Sequence, residues 1–347
     1  MKNKKKIIVL IVVLLMLTGC GTSRYITDSK HKAIVYEKTG LMLQRNIICL
    51  PEKNGELYKV YKKHQKQLQV PFNELPDCNK FKINSNESNG LWELLFVKPL
   101  AYGILKLGKL VGNLGISLIL IGLLIRIILL PFSIKSLKQS QNMRKAQPEL
   151  EKIERKYHNR TDRESLAAKS QETMMLYKKY KVSPLTGCLL AFIQLPVFFA
   201  FLQAIYRTPA IYEQTLFGLG LGTTPLVGLK MGNYWYLLLL ILIAVSTYFS
   251  FKQSMKQTAN MASNQASQMN LMLYIMLFMI VYASLNLPTA IAFYWIVTYA
   301  FISIQNIIVN YSNNDSLKNK NKKDKSKKEN IKDKVKKKEG MKYGNNN

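Results

Sequence analysis

Ionisable groups are missing where the chain is most apolar. Only three histidines occur in 347 residues, His31, His64 and His158, and all lie outside the long apolar stretches. None of those stretches holds an Asp or a Glu. Intramembrane proteolysis needs an embedded Ser/His pair, a pair of aspartates or a zinc site, and the sequence offers none of them. Proton-coupled transport usually runs on embedded carboxylates or histidines. A Gly-rich phosphate-binding motif is absent as well. These absences disfavour an enzyme and a proton-coupled pump, and neither a cofactor nor a metal is expected.

What is present is segregated along the chain. Lys and Arg number 50 against 20 acids, a formal net charge of +30, yet 48% of the residues are hydrophobic. Mean hydropathy is −0.02 because apolar blocks in the middle are offset by lysine clusters elsewhere. The N-terminus, MKNKKKIIVLIVVLLMLTGC, has a basic start and an apolar stretch over 7–17, the length of a signal-peptide core and too short to span. LTGC looks like a lipobox, so 1–19 is expected to be removed and Cys20 acylated, holding the mature chain to the outside of the membrane. Residues 20–90 are polar and are expected outside, a region too small for much of a core. Cys49 and Cys78 within it are either a disulfide staple or two free thiols. Residues 91–114 mix Trp92, Lys98, Lys106 and Lys109 with apolar residues, the pattern of an amphipathic helix lying in the outer interface.

Five segments then have the length and apolarity of spanning helices: 115–134, 184–206, 235–251, 270–287 and 288–310. The last two are separated by a tight turn at Asn286-Leu287-Pro288. Between the first two, 135–183 reads as a basic helical hairpin. Met143, Ala146, Leu150, Ile153 and Tyr157 form a seam at spacings of 3 and 4, and Thr161-Asp162-Arg163-Glu164 has the form of a capping box. This segment holds thirteen basic residues, and the tail over 311–347 holds thirteen lysines and is expected to be disordered. Segment 207–234 has only two basic residues. The positive-inside rule therefore puts the hairpin, the loop 252–269 and the tail in the cytoplasm, which agrees with a lipid-anchored N-terminus outside. The expected fold is an all-α integral membrane protein with five spans, a cytoplasmic helical hairpin and an outer interfacial helix.

One charge sits inside a span. Arg126 lies in LIGLLIRIILLPF, without an acid in any span to pair with. Insertion scales put a central arginine at roughly 2.5–3.5 kcal/mol. It is either snorkelling to the inner interface or lining a water-filled cavity open to the cytoplasm. Gln194, Gln203, Ser246, Thr247, Thr298, Gln305 and Asn306 are further polar residues in spans. Each either lines such a cavity or hydrogen-bonds between helices. Trp295 either faces a substrate or packs. Met269, Met272, Met276 and Met279 form a stripe that suits either packing or clients of varied sequence.

Several long stretches, in order, resemble the YidC/Oxa/Alb family of membrane protein insertases. They are LWELLFVKPL, GISLILIGLLIRIILLPFSIKSLKQSQNM, QPELEKIERKY, KYKVSPLTGCLLAFIQLPVFFAFLQAI and LPTAIAFYWIVTYAFISIQNIIV. The lipobox and five spans resemble the Gram-positive branch. The resemblance implies a hydrophilic groove open to the cytoplasm and to lipid, with Arg126 as its charge and Gln194 and Trp295 as groove residues. Where the family often carries an asparagine four residues after the tryptophan, this chain has Tyr299. It also implies that the protein inserts and helps fold nascent membrane proteins, alone or with the Sec translocase. The basic hairpin and tail would hold a translating ribosome through its phosphates or bind anionic lipids. Two other functions fit the residues without the resemblance: an anion channel or facilitator, and a scaffold lipoprotein for membrane protein assembly.

Overall fold

The computed structural model describes residues 25–85, 90–182, 186–258, 263–309 and 311; the lipobox with Cys20 and the tail beyond 311 lie outside the described residues. The described chain is mostly helical, with two short β-hairpins that an all-α reading omits. In the first, β1 (Val35–Tyr36) pairs antiparallel with β2 (Leu41–Met42). Around it, residues 25–85 form a lobe with a core of its own. Ile26, Leu41, Leu43, Ile47, Leu50, Leu57, Tyr61 and Leu75 are buried together with Tyr212. Leu57 and Tyr61, four residues apart on α1 (Glu56–Lys63), supply that helix's apolar face. The expectation of little core fails here because Tyr212, from a distant loop, closes the cluster. A disulfide joins Cys49 and Cys78, and both are buried in the larger apolar cluster of the helices.

A π-helical turn over Glu93–Val97 leads into α2 (Lys98–Val111). Gly112, at φ 76, ends α2 in the left-handed conformation, where a side chain would be strained. Asn113 then caps α3 (Leu114–Lys156), accepting from Gly115 N at 2.8 Å and Ile116 N at 3.2 Å while its Nδ2 donates to Thr215 O. Ser117 Oγ donates to Ile104 O at 2.6 Å and ties the two helices.

The boundary expected between a span and a separate helix at 134/135 does not exist. α3 runs through it for 43 residues, with Pro131 inside. Ser133 Oγ donates to Leu129 O and Leu130 O, binding carbonyls beside the proline, and the seam beyond continues the same period. α4 (Arg163–Lys179) lies against the far part of α3. Lys156 pairs with Glu172 at 2.6 Å and Lys179 with Glu149 at 2.8 Å. The N-cap is Asp162, accepting from Ser165 N at 2.8 Å, so the start signal lies one residue later than a box opening on Thr161. The stronger carboxylate acceptor takes the cap.

Among the described residues three helices are long and apolar enough to cross a membrane: Leu114–Met143, Trp235–Gln253 and Thr289–Val309. Gln194–Tyr206 and Leu273–Asn286 are shorter apolar stretches. These belong to α3, α5 (Thr186–Tyr206), α8 (Trp235–Thr258), α9 (Ser263–Asn286) and α10 (Thr289–Val309). Between α5 and α8 lie α6 (Pro209–Tyr212), β3 (Thr215–Leu216) paired with β4 (Leu219–Gly220), and α7 (Pro225–Lys230). This loop is bonded to the start of α10. Thr289 N donates to Thr223 O and Ala290 N to Leu221 O, so loop carbonyls satisfy the first amides of α10. The chain divides into two units at Phe301/Ile302.

Candidate membrane-embedded site

Arg126 lies thirteen residues into α3 and is only 7% exposed. Its Nη2 donates to Gln194 Oε1 on α5 at 2.7 Å, and its Nε to Thr298 Oγ1 on α10 at 3.4 Å. Gln194 Nε2 in turn donates to the Tyr294 hydroxyl at 3.2 Å. A guanidinium only donates, so the amide oxygen faces it and the amide nitrogen is left for the phenol. Tyr294 and Tyr299 complete the polar surround. Tyr299 stands near the guanidinium and packs its ring against Phe251 at 5.9 Å.

Every named partner is neutral. None of the ion pairs among the described residues includes Arg126. Neutral acceptors satisfy donors without cancelling charge, so the cluster keeps a net positive charge in apolar surroundings. Aromatic packing fixes its geometry. Tyr294, 1% exposed, stacks on Phe201 with ring centroids 4.4 Å apart, and Trp295 stacks on Phe198 at 5.7 Å.

The structure therefore brings Arg126, Gln194 and Thr298 together and places Trp295 one residue from the network, with its ring in the apolar core. The other polar residues go elsewhere. Gln203 accepts from Trp92 Nε1 at 3.2 Å, and Ser246 donates to Ile243 O of its own helix. Thr247 is buried, with no hydrogen-bond partner for Oγ1 among the described residues. Gln305 and Asn306 are buried as well. Met276 and Met279 are exposed on α9, while the side chains of Met269 and Met272 lie outside the description. No group of His, Cys, Asp and Glu suited to hold a metal occurs among the described residues.

A second buried charge cluster escaped sequence reasoning. Arg207, at the end of α5, pairs with Glu93 at 2.7 Å, and both side chains are under a tenth exposed. Lys98 is buried beside them, and its Nζ donates to Ser85 O at 3.2 Å. Burial pushes the Lys98 ammonium below the usual lysine value; Glu93 opposes that shift and Arg207 adds to it. The available signal was Glu93 itself, the one acid in 91–114.

Apolar helices of spanning length, packed with a buried arginine whose hydrogen-bond partners are neutral, mark an integral membrane protein. Comparison with known proteins gives the family. Residues 106–316 match the model of the 60Kd inner membrane protein family. Membrane protein insertase YidC 2 of Listeria innocua is 32% identical over 65% of this chain and 74% of its own length. Membrane protein insertase MisCA of Bacillus subtilis is 36% identical over 64% and 80% respectively. A crystal structure of an active YidC insertase aligns at 27% identity and a TM-score of 0.47, over 66% of this chain and 48% of that one. The chain belongs to the YidC/Oxa/Alb family.

Proposed function

We propose that the chain is a membrane protein insertase that moves polar ends of nascent membrane proteins across the bilayer and helps the inserted helices fold. The observation that carries this is Arg126, buried and hydrogen-bonded only to neutral partners. A scaffold has no use for so costly a residue. A charge left uncancelled by its own protein is available to a client.

The mechanism follows from electrostatics. A wet groove part-way through the bilayer shortens the apolar distance that a polar tail must cross. Arg126 draws an acidic tail into the groove, while the client's apolar helix slides along exposed faces of α8 and α9 into lipid. The membrane potential adds about 2.3 kcal/mol per charge per 100 mV, pulling negative tails outward. That step needs no nucleotide.

In this reading all five apolar segments span the bilayer and Cys20 is lipidated outside, with Cys49 and Cys78 kept oxidised there. The α3–α4 hairpin and the lysine tail face the cytoplasm, where they hold a ribosome or anionic lipid heads. Clients arrive directly or through the Sec translocase. Gln194 and Trp295 line the groove with Arg126, Gln194 by its hydrogen bond and Trp295 as an apolar wall.

The test is insertion of a single-span reporter with a short acidic N-tail in cells depleted of their own insertase, read by protease protection. Wild type and Arg126→Lys should insert it, and Arg126→Ala should not. Activity in Arg126→Ala would reduce the arginine to a snorkelling residue. No insertion by wild type, with acidic or uncharged tails, would leave the channel and scaffold readings.

A further inference from the structure

Arg207 is the second buried guanidinium, and the insertion mechanism does not use it. Its Nη2 pairs with Glu93 at 2.7 Å, and its Nε donates to the Asn46 carbonyl at 2.6 Å. Its own carbonyl accepts from Ile48 N at 3.0 Å. One residue at the end of α5 is thereby bonded to the turn before α2 and, twice, to the lobe. The seam continues on either side. Thr224 N donates to Thr39 O at 2.9 Å and Glu52 N to Glu213 Oε2 at 3.1 Å, while Trp92 reaches Gln203 four residues before Arg207. The lobe, 25–85, lies before the family-matched segment that begins at residue 106.

A buried ion pair is a weak source of net stability, because removing both charges from water offsets their attraction. Apolar residues of the same volume would hold α2 against α5 equally well. What the guanidinium adds is direction: its planar fork fixes the relative position of the groups it binds. Here it is shared between a carboxylate on one element and a carbonyl on another, so helix and lobe satisfy it in one arrangement.

We infer that Arg207 and Glu93 are positioning residues that seat the N-terminal lobe as a lid across the end of the helices that carry Arg126. Which side of the membrane the lid covers rests on the orientation proposed above; the seating itself does not. Removing the pair should loosen the seam around Arg207 and open that end of the bundle, while the lobe's core, with Tyr212 still in it, holds together.

Hydrogen exchange of the purified full chain in detergent, read by mass spectrometry, tests the seating. The amides of Ile48 and Thr224 cross the seam, whereas those of Ile26 and Leu43 bond within the lobe. In the double variant Glu93→Gln/Arg207→Gln, which removes one charge of each sign and leaves Lys98 bonded to Ser85 O, the seam amides should exchange roughly tenfold faster or more. The lobe amides should keep their rates. Seam amides at wild-type rates would overturn the proposal, since the pair would then serve only to cancel itself. Acceleration of all four together would also overturn it, making Arg207 a residue of the lobe's fold rather than of its seat. Arg207→Lys keeps the charge but not the fork, and should fall between; if the double variant does not fold, this variant decides, and wild-type rates in it refute the seating.

Decay of a potassium diffusion potential tests the lid, in vesicles of phosphatidylglycerol and phosphatidylethanolamine holding wild type or the double variant. Faster decay in the variant is expected; an unchanged decay with a released seam would refute closure. If wild type fails the reporter assay, the insertase reading falls while both of these results stand.

Discussion

Gln194→Glu separates charge from shape at the embedded site. Glutamate has nearly the outline of glutamine, so its carboxylate takes the place of the amide oxygen 2.7 Å from Arg126 Nη2. The fold keeps its contact and gains an ion pair, but the cluster's net positive charge is cancelled. At an effective dielectric of about 20, the attraction between a guanidinium and a client carboxylate about 8 Å away is about 2 kcal/mol. That corresponds to about thirtyfold in rate. Insertion of an acidic-tailed reporter should therefore fall by roughly ten- to thirtyfold. The midpoint of thermal unfolding in detergent should hold or rise. Gln194→Leu reverses the pattern. It keeps the charge and removes an acceptor, costing about 1.5–3 kcal/mol for a hydrogen bond to a charged group. Its unfolding midpoint should drop by several degrees while insertion per folded molecule persists. If Gln194→Glu inserts the reporter at the wild-type level, the net charge of Arg126 is not what acts on clients.

Three further predictions concern the scaffold. Asn113→Ala removes the cap of α3 and the bond to Thr215; it should cost about 1 kcal/mol in thermal unfolding, with Asn113→Ser recovering most of it. The Cys49–Cys78 disulfide closes a separation of 29 residues, for which chain entropy gives about 3–4 kcal/mol. Reduction should speed exchange of the Ile26 and Leu43 amides, and unchanged rates would mean that the lobe core suffices alone. Between α3 and α4, hydrogen bonds from Lys179 and Tyr180 hold Glu149 below its ordinary 4.5, and those from Lys156 and Tyr157 do the same for Glu172. Carboxylates so lowered contribute stability that is present above pH 4.5 and lost as pH falls through the folded value. Lys156 and Lys179 are raised, so their share is lost only as pH climbs above the ordinary 10.5. Spin-label distances between positions 152 and 171 should stay sharp from pH 5 to 8 and broaden below pH 4.5. Glu149→Gln should remove part of that acid transition.

Three of the five apolar segments expected to span have that length and apolarity among the described residues, because apolarity over twenty residues leaves little freedom, and Arg126 stands out by contrast with its surroundings. The positions of Gln194 and Thr298 around it were less legible. Polar residues in spans were visible, but nothing in their spacing tells Gln194, which meets the arginine, from Gln203, which meets Trp92. That choice depends on how helices distant in sequence are rotated against one another. The continuous α3 was missed because a proline and a change from apolar to basic composition look like a boundary. Composition marks where the membrane environment ends; it does not interrupt helical hydrogen bonding. The lobe's core was missed because it is completed by Tyr212, more than a hundred residues away.

The two buried arginines show what distinguishes a structural charge from an available one. Both are nearly excluded from solvent, at 7% for Arg126 and 5% for Arg207. Arg207 meets a carboxylate and a backbone carbonyl, so its charge is paired and its geometry fixed. Arg126 meets an amide and a hydroxyl, which fix its position but leave its field standing. Were stability the only requirement, an acid at position 194 or 298 would relieve that field. The site instead holds neutral acceptors, the arrangement that keeps a guanidinium in place while leaving it attractive to anions. At Arg207 the same side chain is already paired with a carboxylate, so its effect is confined to the parts it joins. Exchanging the two solutions, an acid beside Arg126 or a glutamine in place of Glu93, should accordingly impair different things: capture of an acidic client in the first case, and seating of the lobe in the second.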